Sequence, residues 1–138
     1  MIIVTLENLI ETFTGLPETT IFLLDLDDFS KYNSVYSYEN GNYILNKSVE
    51  IISQIPTLIN CLKFGGDEFL FTCLGNFETS KNFIFSMLQS FESELKVTVS
   101  IGGVQNINKI KNSQHLIELL KTNVLLAKSN GKNQICIS

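Results

Sequence analysis

The chain has 138 residues, of which 44% are hydrophobic and 17% are charged. This composition predicts a packed globule rather than a disordered chain, and the length fits one domain, residues 1–138, since domains commonly run to about 100–200 residues. Fourteen acidic against ten basic residues give a net charge of −4, which argues against a nucleic-acid partner held by a broad basic face.

The first half of the chain predicts a helix, a buried strand and a second helix. Apolar residues at helical spacing predict a short helix over 5–13, and with the loop that follows it fills residues 1–19. The nearly continuous apolar run 20–24 is typical of a strand buried on both faces. Apolar positions three and four residues apart then predict a helix over 39–54.

The second half predicts a hairpin followed by two helix–strand pairs. The apolar runs 58–64 and 69–74 flank a Gly-Gly-Asp-Glu turn, which is the pattern of a β-hairpin. The remaining predicted elements are a helix around 83–91, a strand over 97–104, a helix over 116–127 and a strand over 134–137. The order αβαββαβαβ predicts an α/β (α+β) sandwich, with one central sheet of about five strands covered by helices.

The sequence lacks the features of export or membrane insertion. The apolar residues 1–4 have no positive charge before them and are soon followed by Glu7, which makes a poor signal peptide. No apolar run approaches the roughly 18 residues that a membrane helix needs. Three cysteines are an odd number for a secreted disulfide framework. We therefore expect a cytoplasmic protein with buried, reduced thiols and no membrane partner.

Acidic residues stand at the end of the first strand and in the hairpin turn. Asp25 and Asp27 follow the strand, and Asp67 and Glu68 follow the two glycines. If the strand and the hairpin are neighbours in the sheet, Asp25 and Asp67 project into one spot. Two ionised carboxylates that close repel each other, and a hard divalent cation such as Mg²⁺ is the usual way to hold both. Any single acid is more often a helix cap or a turn residue, but this pair predicts a metal site.

Residues 65–69, Gly-Gly-Asp-Glu-Phe, spell the signature of the GGDEF family of diguanylate cyclases. Other segments resemble this family in the same order: residues 25–29 its first metal-binding strand end, residues 99–103 its late strand and residues 127–133 the end of its last helix. The resemblance covers residues 20–138. It implies the fold of nucleotidyl cyclases and polymerase palm domains, with a βαββαβ core.

The resemblance implies an enzyme that joins two purine nucleoside triphosphates into a cyclic dinucleotide second messenger and releases pyrophosphate. Two Mg²⁺ ions, or Mn²⁺ in their place, would be held by Asp25, Asp67 and the Leu26 carbonyl. Glu68 would be a further ligand or a proton acceptor, so Asp25, Asp67 and Glu68 are the implied catalytic residues. A homodimer or higher oligomer follows, since each site would hold one nucleotide. Regulation would come from assembly, substrate supply, an inhibitory ligand or a partner in trans.

The implied phosphate-binding residues come from three segments. The backbone around Phe29 would offer N–H groups near a helix start. Gly65 and Gly66 are expected to take positive φ and to let the nucleotide lie against the backbone. Lys128 and Lys132 would meet the triphosphate, with Lys132 where the family usually has arginine, so the charge is kept and the bidentate fork is lost.

The implied base-contacting residues are Asn33 and Asn42, and Asn42 departs from the family, which carries an aspartate that accepts two hydrogen bonds from guanine. An amide offers one donor and one acceptor, the complement of the adenine edge. GTP with c-di-GMP as product and ATP with an adenine product such as c-di-AMP both stay open. Residues 56–59, Pro-Thr-Leu-Ile, replace the family's inhibitory Arg-x-x-Asp, so product feedback of that kind is expected to be absent.

Two further hypotheses remain. The short outline and Asn42 also resemble the minimal CRISPR polymerases, stand-alone cyclases that would use ATP in defence against phage. A protein of another class would keep the cyclase fold and bind nucleotide without turnover. The presence of Asp25, Asp67 and Glu68 argues against that module, since a receptor does not need acids at a metal spacing.

Overall fold

The computed structural model of the chain describes residues 5–15, 18–31, 38–105 and 112–138, without the side chains of residues 38–40. Its elements are α1 (Leu6–Gly15), β1 (Thr19–Leu26), α2 (Tyr38–Ser53), β2 (Leu58–Gly65), β3 (Glu68–Leu74), α3 (Phe77–Ser90), β4 (Val99–Gln105), α4 (Ser113–Ser129) and β5 (Gln134–Ile137). A π-helical turn, Phe91–Leu95, continues α3. This order confirms the predicted αβαββαβαβ arrangement and the α+β fold class.

One mixed sheet of five strands runs through the structure in the order β2-β3-β1-β4-β5. β1 is antiparallel to both β3 and β4, β2 is antiparallel to β3, and β4 and β5 are parallel. Near the end of β1, Asp25 is paired with Glu68 on one side and Ser100 on the other. The central position of β1 therefore brings its acidic end between the hairpin and the start of β4.

Both faces of β1 are buried, as its apolar run predicted. Phe22 and Leu24 belong to a core shared with α2 and α3, while Ile21 and Leu23 belong to a second core shared with α1 and α4. Full burial of one such side chain stabilises the fold by about 1.5–3 kcal/mol. Helices on both sides thus hold β1 in place, and the acids at its end have a rigid support.

A glycine lets α4 lie directly against β4. A Cβ built on Gly102 would stand 2.5 Å from the Leu120 carbonyl oxygen and 2.8 Å from the Val124 nitrogen, both backbone atoms of α4. No side chain fits between backbones this close. This contact fixes the course of α4, whose last turn carries Lys128 to the end of β1.

The described part of the chain has no disulfide and no candidate membrane span. Cys61 and Cys73 are buried free thiols and Cys136 is a half-buried one. Burial raises the pKa of Cys61 to about 11 and that of Cys73 to about 12. No described helix is both long enough and apolar enough to cross a membrane.

Candidate active site

The acids predicted to share one spot lie together at the end of the central strands. Asp25 is paired with Glu68 across β1 and β3, so the two side chains leave the same face of the sheet. The Leu26 N–H donates to the Asp67 carbonyl oxygen at 3.0 Å, which ties the hairpin turn to the end of β1. Asp25 lies two residues after Leu23, on the face covered by α4.

Asp25 is the electrostatic centre of this cluster. Its pKa is raised from 3.8 to about 6, first by burial and then by the negative charge of Asp67, with a smaller contribution from Glu68. Lys128 acts in the opposite direction, with its Nζ atom 3.3 Å from Asp25 Oδ1. The acids therefore hold more negative charge than this lysine neutralises, and a cation added there would relieve the repulsion.

The donor atoms are of the kind that a divalent cation takes. Mg²⁺ usually takes one or two carboxylates from the protein and completes its shell with phosphate oxygens and water. Within the described ranges, no group of three or more His, Cys, Asp or Glu side chains is arranged to hold a metal ion by itself. Asp25 and Asp67, with the Leu26 carbonyl, are the groups that would hold the ion beside a bound triphosphate.

Asp27 is buried and serves as an anchor rather than an open ligand. It is 6% exposed. Its Oδ1 atom accepts hydrogen bonds from Ser100 Oγ at 2.7 Å and Lys128 Nζ at 3.1 Å. Its Oδ2 atom accepts from Thr98 Oγ1 at 2.7 Å and the Asn133 N–H at 3.3 Å. These donors use the lone pairs of the carboxylate, so Asp27 joins β1, β4 and the end of α4.

Both lysines predicted for the triphosphate are paired with acids of the segment after β1. Burial disfavours the charge of Lys128, yet its pKa is raised because Asp25 and Asp27 stabilise the ammonium. Lys132 Nζ lies 2.9 Å from Asp28 Oδ1 and 3.0 Å from Asp28 Oδ2. That contact lowers the pKa of Asp28. Two cations are therefore held at one end of α4, beside the acidic cluster.

The glycines of the hairpin have a different role from the expected one. Neither Gly65 nor Gly66 has a positive φ, so that expectation was wrong; among the described glycines, positive φ occurs at Gly75 and Gly131. A Cβ on Gly65 would overlap the Oε1 atom of Glu68, whereas a Cβ on Gly66 would meet no atom within 4 Å. Gly65 thus leaves room for the Glu68 carboxylate.

The other predicted nucleotide contacts are only partly covered by the structure. Asn42 lies on α2 with an exposed side chain, and Asn33 lies outside the described residues. The ring of Phe29 is 5% exposed and packs in the core with α2, so contact with a nucleotide falls to its backbone. Since α2 and α4 cover opposite faces, a nucleotide that touches both would cross the end of the sheet.

A cleft of about 240 Å³ beside the acids adds a residue that the sequence analysis did not single out. Its lining comprises Leu23, Asp25, Glu68, Lys121, Val124, Leu125 and Lys128. Lys121 Nζ lies 5.7 Å from the centre of the Phe64 ring. The seven-residue spacing of Lys121 and Lys128 along one helix is the sequence signal, because residues two turns apart share a face. Ser100, Thr98 and Asn133 were also missed, since only strand pairing and the turn after α4 bring them to Asp27.

A curated relative shares much of this sequence. Diguanylate cyclase DgcS of Shewanella oneidensis is 29% identical over 120 residues, which are 83% of this chain and 40% of that protein. The chain therefore spans less than half the length of this relative.

Solved structures share the fold. The active GGEEF domain of a diguanylate cyclase from Vibrio cholerae has a TM-score of 0.81 at 17% identity, with 95% of this chain and 94% of that chain covered. The GGDEF domain of DgcB from Caulobacter crescentus, in complex with c-di-GMP, also has a TM-score of 0.81 at 17% identity, with 95% and 86% covered.

The family model described as "Diguanylate cyclase, GGDEF domain" matches residues 4–134. The match begins well before residue 20, where the motifs alone placed the start of the resemblance, so it includes α1. With nearly all of its sequence matched, the chain belongs to the GGDEF family.

Proposed function

We propose that this chain is a nucleotide cyclase that joins two purine nucleoside triphosphates into a cyclic dinucleotide, with GTP as the first candidate substrate. One observation carries the proposal: Asp25, Asp67, Glu68 and Lys128 converge at the end of the central strands in a member of the GGDEF family. One curated relative is named a diguanylate cyclase and one solved neighbour is in complex with c-di-GMP, which supports guanine as the first candidate base.

The proposed chemistry is an in-line displacement at phosphorus, repeated twice. The 3′-hydroxyl of one nucleotide attacks the α-phosphate of the other, the bond to pyrophosphate breaks, and the hydroxyl proton leaves. A divalent metal, when bound, would lower the pKa of the attacking hydroxyl and neutralise charge on the phosphate. Glu68, with its carboxylate over Gly65, is the proposed proton acceptor. Lys128 would stabilise the charge that grows on the phosphate oxygens.

The test is pyrophosphate release from GTP and from ATP in the presence of Mg²⁺. Asp67→Asn keeps the size of the side chain and removes its charge, and we expect it to lower turnover by about 100-fold or more. Glu78→Gln is the matched control, because Glu78 is an acid in the exposed first turn of α3 whose side chain is 76% exposed. Wild-type turnover in Asp67→Asn would overturn the assignment. Nucleotide binding without pyrophosphate release in the wild type would instead indicate a binding module.

Base preference rests on Asn42, which is exposed on α2. We expect Asn42→Asp to shift the ratio of kcat/KM for GTP over ATP toward GTP, because a carboxylate presents only acceptors to the two N–H groups of guanine. An unchanged ratio would contradict a role for Asn42 in base recognition. The hypothesis of an ATP-using, CRISPR-related cyclase rests in part on this same residue and would gain from a wild-type preference for ATP.

Assembly belongs to the same proposal. Each site would hold one nucleotide, so two copies must face each other for both bonds to form, and we propose a homodimer. Light scattering with a non-hydrolysable GTP analogue would measure it, and turnover by a strict monomer would refute it. The free thiols and the triphosphate substrate fit a cytoplasmic enzyme.

A further inference from the structure

Two acids that are neighbours in sequence each hold one of the two lysines at the end of α4. Lys128 Nζ lies 3.1 Å from Asp27 Oδ1, and Lys132 Nζ lies 2.9 Å from Asp28 Oδ1. The two ion pairs differ in their exposure to solvent. The side chains of Lys128 and Asp27 are 26% and 2% exposed, and those of Lys132 and Asp28 are 42% and 57% exposed. The two ion pairs therefore respond differently to an incoming anion.

Asp27 controls more than one group. Besides the Lys128 ammonium, it accepts the N–H of Asn133, in the turn after α4. Lys132 and Asn133 both have left-handed backbone, with φ of 64° and 51°, a conformation that is costly for lysine and better tolerated by asparagine. The hydrogen bond from Asn133 helps to fix this turn. One buried carboxylate thus sets the position of Lys128 and of the backbone that carries Lys132.

The Asp27 pair cannot exchange partners easily. If Lys128 left Asp27 for a phosphate, a buried carboxylate would lose the one cationic partner that it has among the described residues, and a buried charge without a partner is strongly unfavourable. Lys128 therefore stays at Asp27. Its Nζ also lies 3.3 Å from Asp25 Oδ1, and since an ammonium has three donors, one hydrogen remains for a ligand.

The Asp28 pair is open to exchange. It lies at the surface, where ion pairs are screened by water and salt and contribute little. A triphosphate oxygen can take the place of the Asp28 carboxylate at small cost. Before a triphosphate binds, both oxygens of Asp28 accept hydrogen bonds from Lys132. The Asp28 carboxylate also adds negative charge beside the lysines proposed to bind the phosphates.

We propose that these neighbouring acids act on the phosphate site in opposite senses: Asp27 is a positioning residue that holds Lys128 and the following turn ready for a triphosphate, and Asp28 masks Lys132 and competes with the triphosphate for it. The proposal rests on the proposed function in one respect, namely that the ligand is a nucleoside triphosphate. It adds that Asp27 and Asp28, the two residues that follow β1, set the affinity for the phosphates by raising and lowering it respectively.

The experiment measures binding of two probes to the full chain in Mg²⁺ by calorimetry. The probes are α,β-methylene-GTP, which carries the triphosphate and cannot react, and guanosine, which carries the base and the ribose without any phosphate. Asp27→Asn is expected to weaken the triphosphate probe by about tenfold or more and to leave guanosine unchanged. Asp28→Asn is expected to tighten the triphosphate probe by about threefold, again without an effect on guanosine. A general structural defect would weaken both probes together.

A milder variant guards against loss of the fold in Asp27→Asn. Thr98→Val keeps the shape of the side chain and removes the hydroxyl that donates to Asp27 at 2.7 Å, so we expect about a threefold loss for the triphosphate probe only. Weaker or unchanged triphosphate binding in Asp28→Asn overturns the proposal, as does unchanged binding in both Asp27→Asn and Thr98→Val. If the wild-type chain binds neither α,β-methylene-GTP nor α,β-methylene-ATP, the proposed function and this inference are overturned together.

Discussion

At the scale of single residues, Asp25 lowers the stability of the metal-free fold at neutral pH, although the proposed metal site needs its charge. Its pKa of about 6, raised from 3.8 mainly by burial, means that the folded state disfavours the ionised form. The stabilising contribution of the protonated carboxyl is complete below about pH 4 and is lost as the pH rises through 6. At neutral pH, the metal-free chain therefore holds a charge that lowers its stability.

We predict that Asp25→Asn stabilises the metal-free chain at pH 7.5 by about 1–3 kcal/mol. Asparagine has nearly the same shape and no charge, so the repulsion with Asp67 disappears. Urea unfolding in EDTA measures the effect, and the advantage over wild type should shrink toward pH 4.5. A variant that is less stable than wild type at pH 7.5 would show that the ion pair with Lys128 outweighs the repulsion.

Divalent metal with a nucleotide should stabilise the wild type more than it stabilises Asp25→Asn. Mn²⁺ or Mg²⁺ with α,β-methylene-GTP is expected to raise the melting temperature of the wild type and much less that of Asp25→Asn, because a ligand that binds only the folded state stabilises it by about 2.7 kcal/mol at 100 times its Kd. Thermal unfolding with and without metal measures this difference. Equal shifts in the two proteins would remove Asp25 from the proposed metal ligands.

Gly65 is predicted to matter through the space that it leaves. Gly65→Ala should lower turnover by about tenfold or more, because the new Cβ must displace the Glu68 carboxylate. Gly66→Ala is the matched comparison on the same turn, since its Cβ meets no atom within 4 Å, and we expect a smaller loss. Initial rates at saturating GTP measure both. A larger loss in Gly66→Ala would show that the nucleotide itself lies against the turn.

The sequence was most informative where a residue pattern has one physical meaning. Asp25 and Asp67 could be predicted to share one spot on the condition that the first strand and the hairpin are neighbours, because one acid follows a buried apolar run and the other lies in the turn between two such runs. The anchoring role of Asp27 could not, because its donors come from β4 and from the turn after α4, far away in sequence. The close approach of the Glu68 carboxylate to Gly65 could not be predicted either, since it depends on the direction of the Glu68 side chain.

At the scale of elements, the contact between β4 and α4 decides where Lys128 lies. We predict that Gly102→Ala destabilises the chain by about 1–3 kcal/mol, since its Cβ would stand 2.5 Å from a carbonyl oxygen of α4, and a backbone atom cannot rotate away. Gly103→Ala is the matched control, because the three atoms nearest to its Cβ would be side-chain atoms of Phe22 and Ile137, and the closest of them, Ile137 Cδ1, is the end of a side chain that can rotate. Urea unfolding compares the two, and equal losses would contradict a tight backbone contact at Gly102.

Hydrophobic periodicity predicted the order and type of the elements because helix and strand faces repeat at different periods. It could not give the order of the strands in the sheet, since every strand of the set is apolar and pairing depends on the whole chain. Nor did it indicate the π-helical turn over Phe91–Leu95, whose apolar residues continue the pattern of α3. Propensity describes local segments, whereas the site arises where strands distant in sequence meet.

At the scale of the whole molecule, the central position of β1 explains how one short acidic segment contacts so much of the fold. Its acids contact the hairpin on one side, β4 on the other and the end of α4 above. The proposed catalytic acids and phosphate-binding lysines thus depend on the same sheet order that defines the fold. The family match over residues 4–134 covers every strand of this sheet except the last three residues of β5.

The central claim is that the chain makes a cyclic dinucleotide from two triphosphates. The most direct measurement is mass spectrometry of the products formed from GTP, from ATP and from their mixture with Mg²⁺, with pyrophosphate counted in the same reaction. We predict a cyclic dinucleotide with two pyrophosphates released for each product, and almost none from Asp67→Asn. No product from any triphosphate by a folded chain that binds nucleotide, or equal product from Asp67→Asn, would contradict the account.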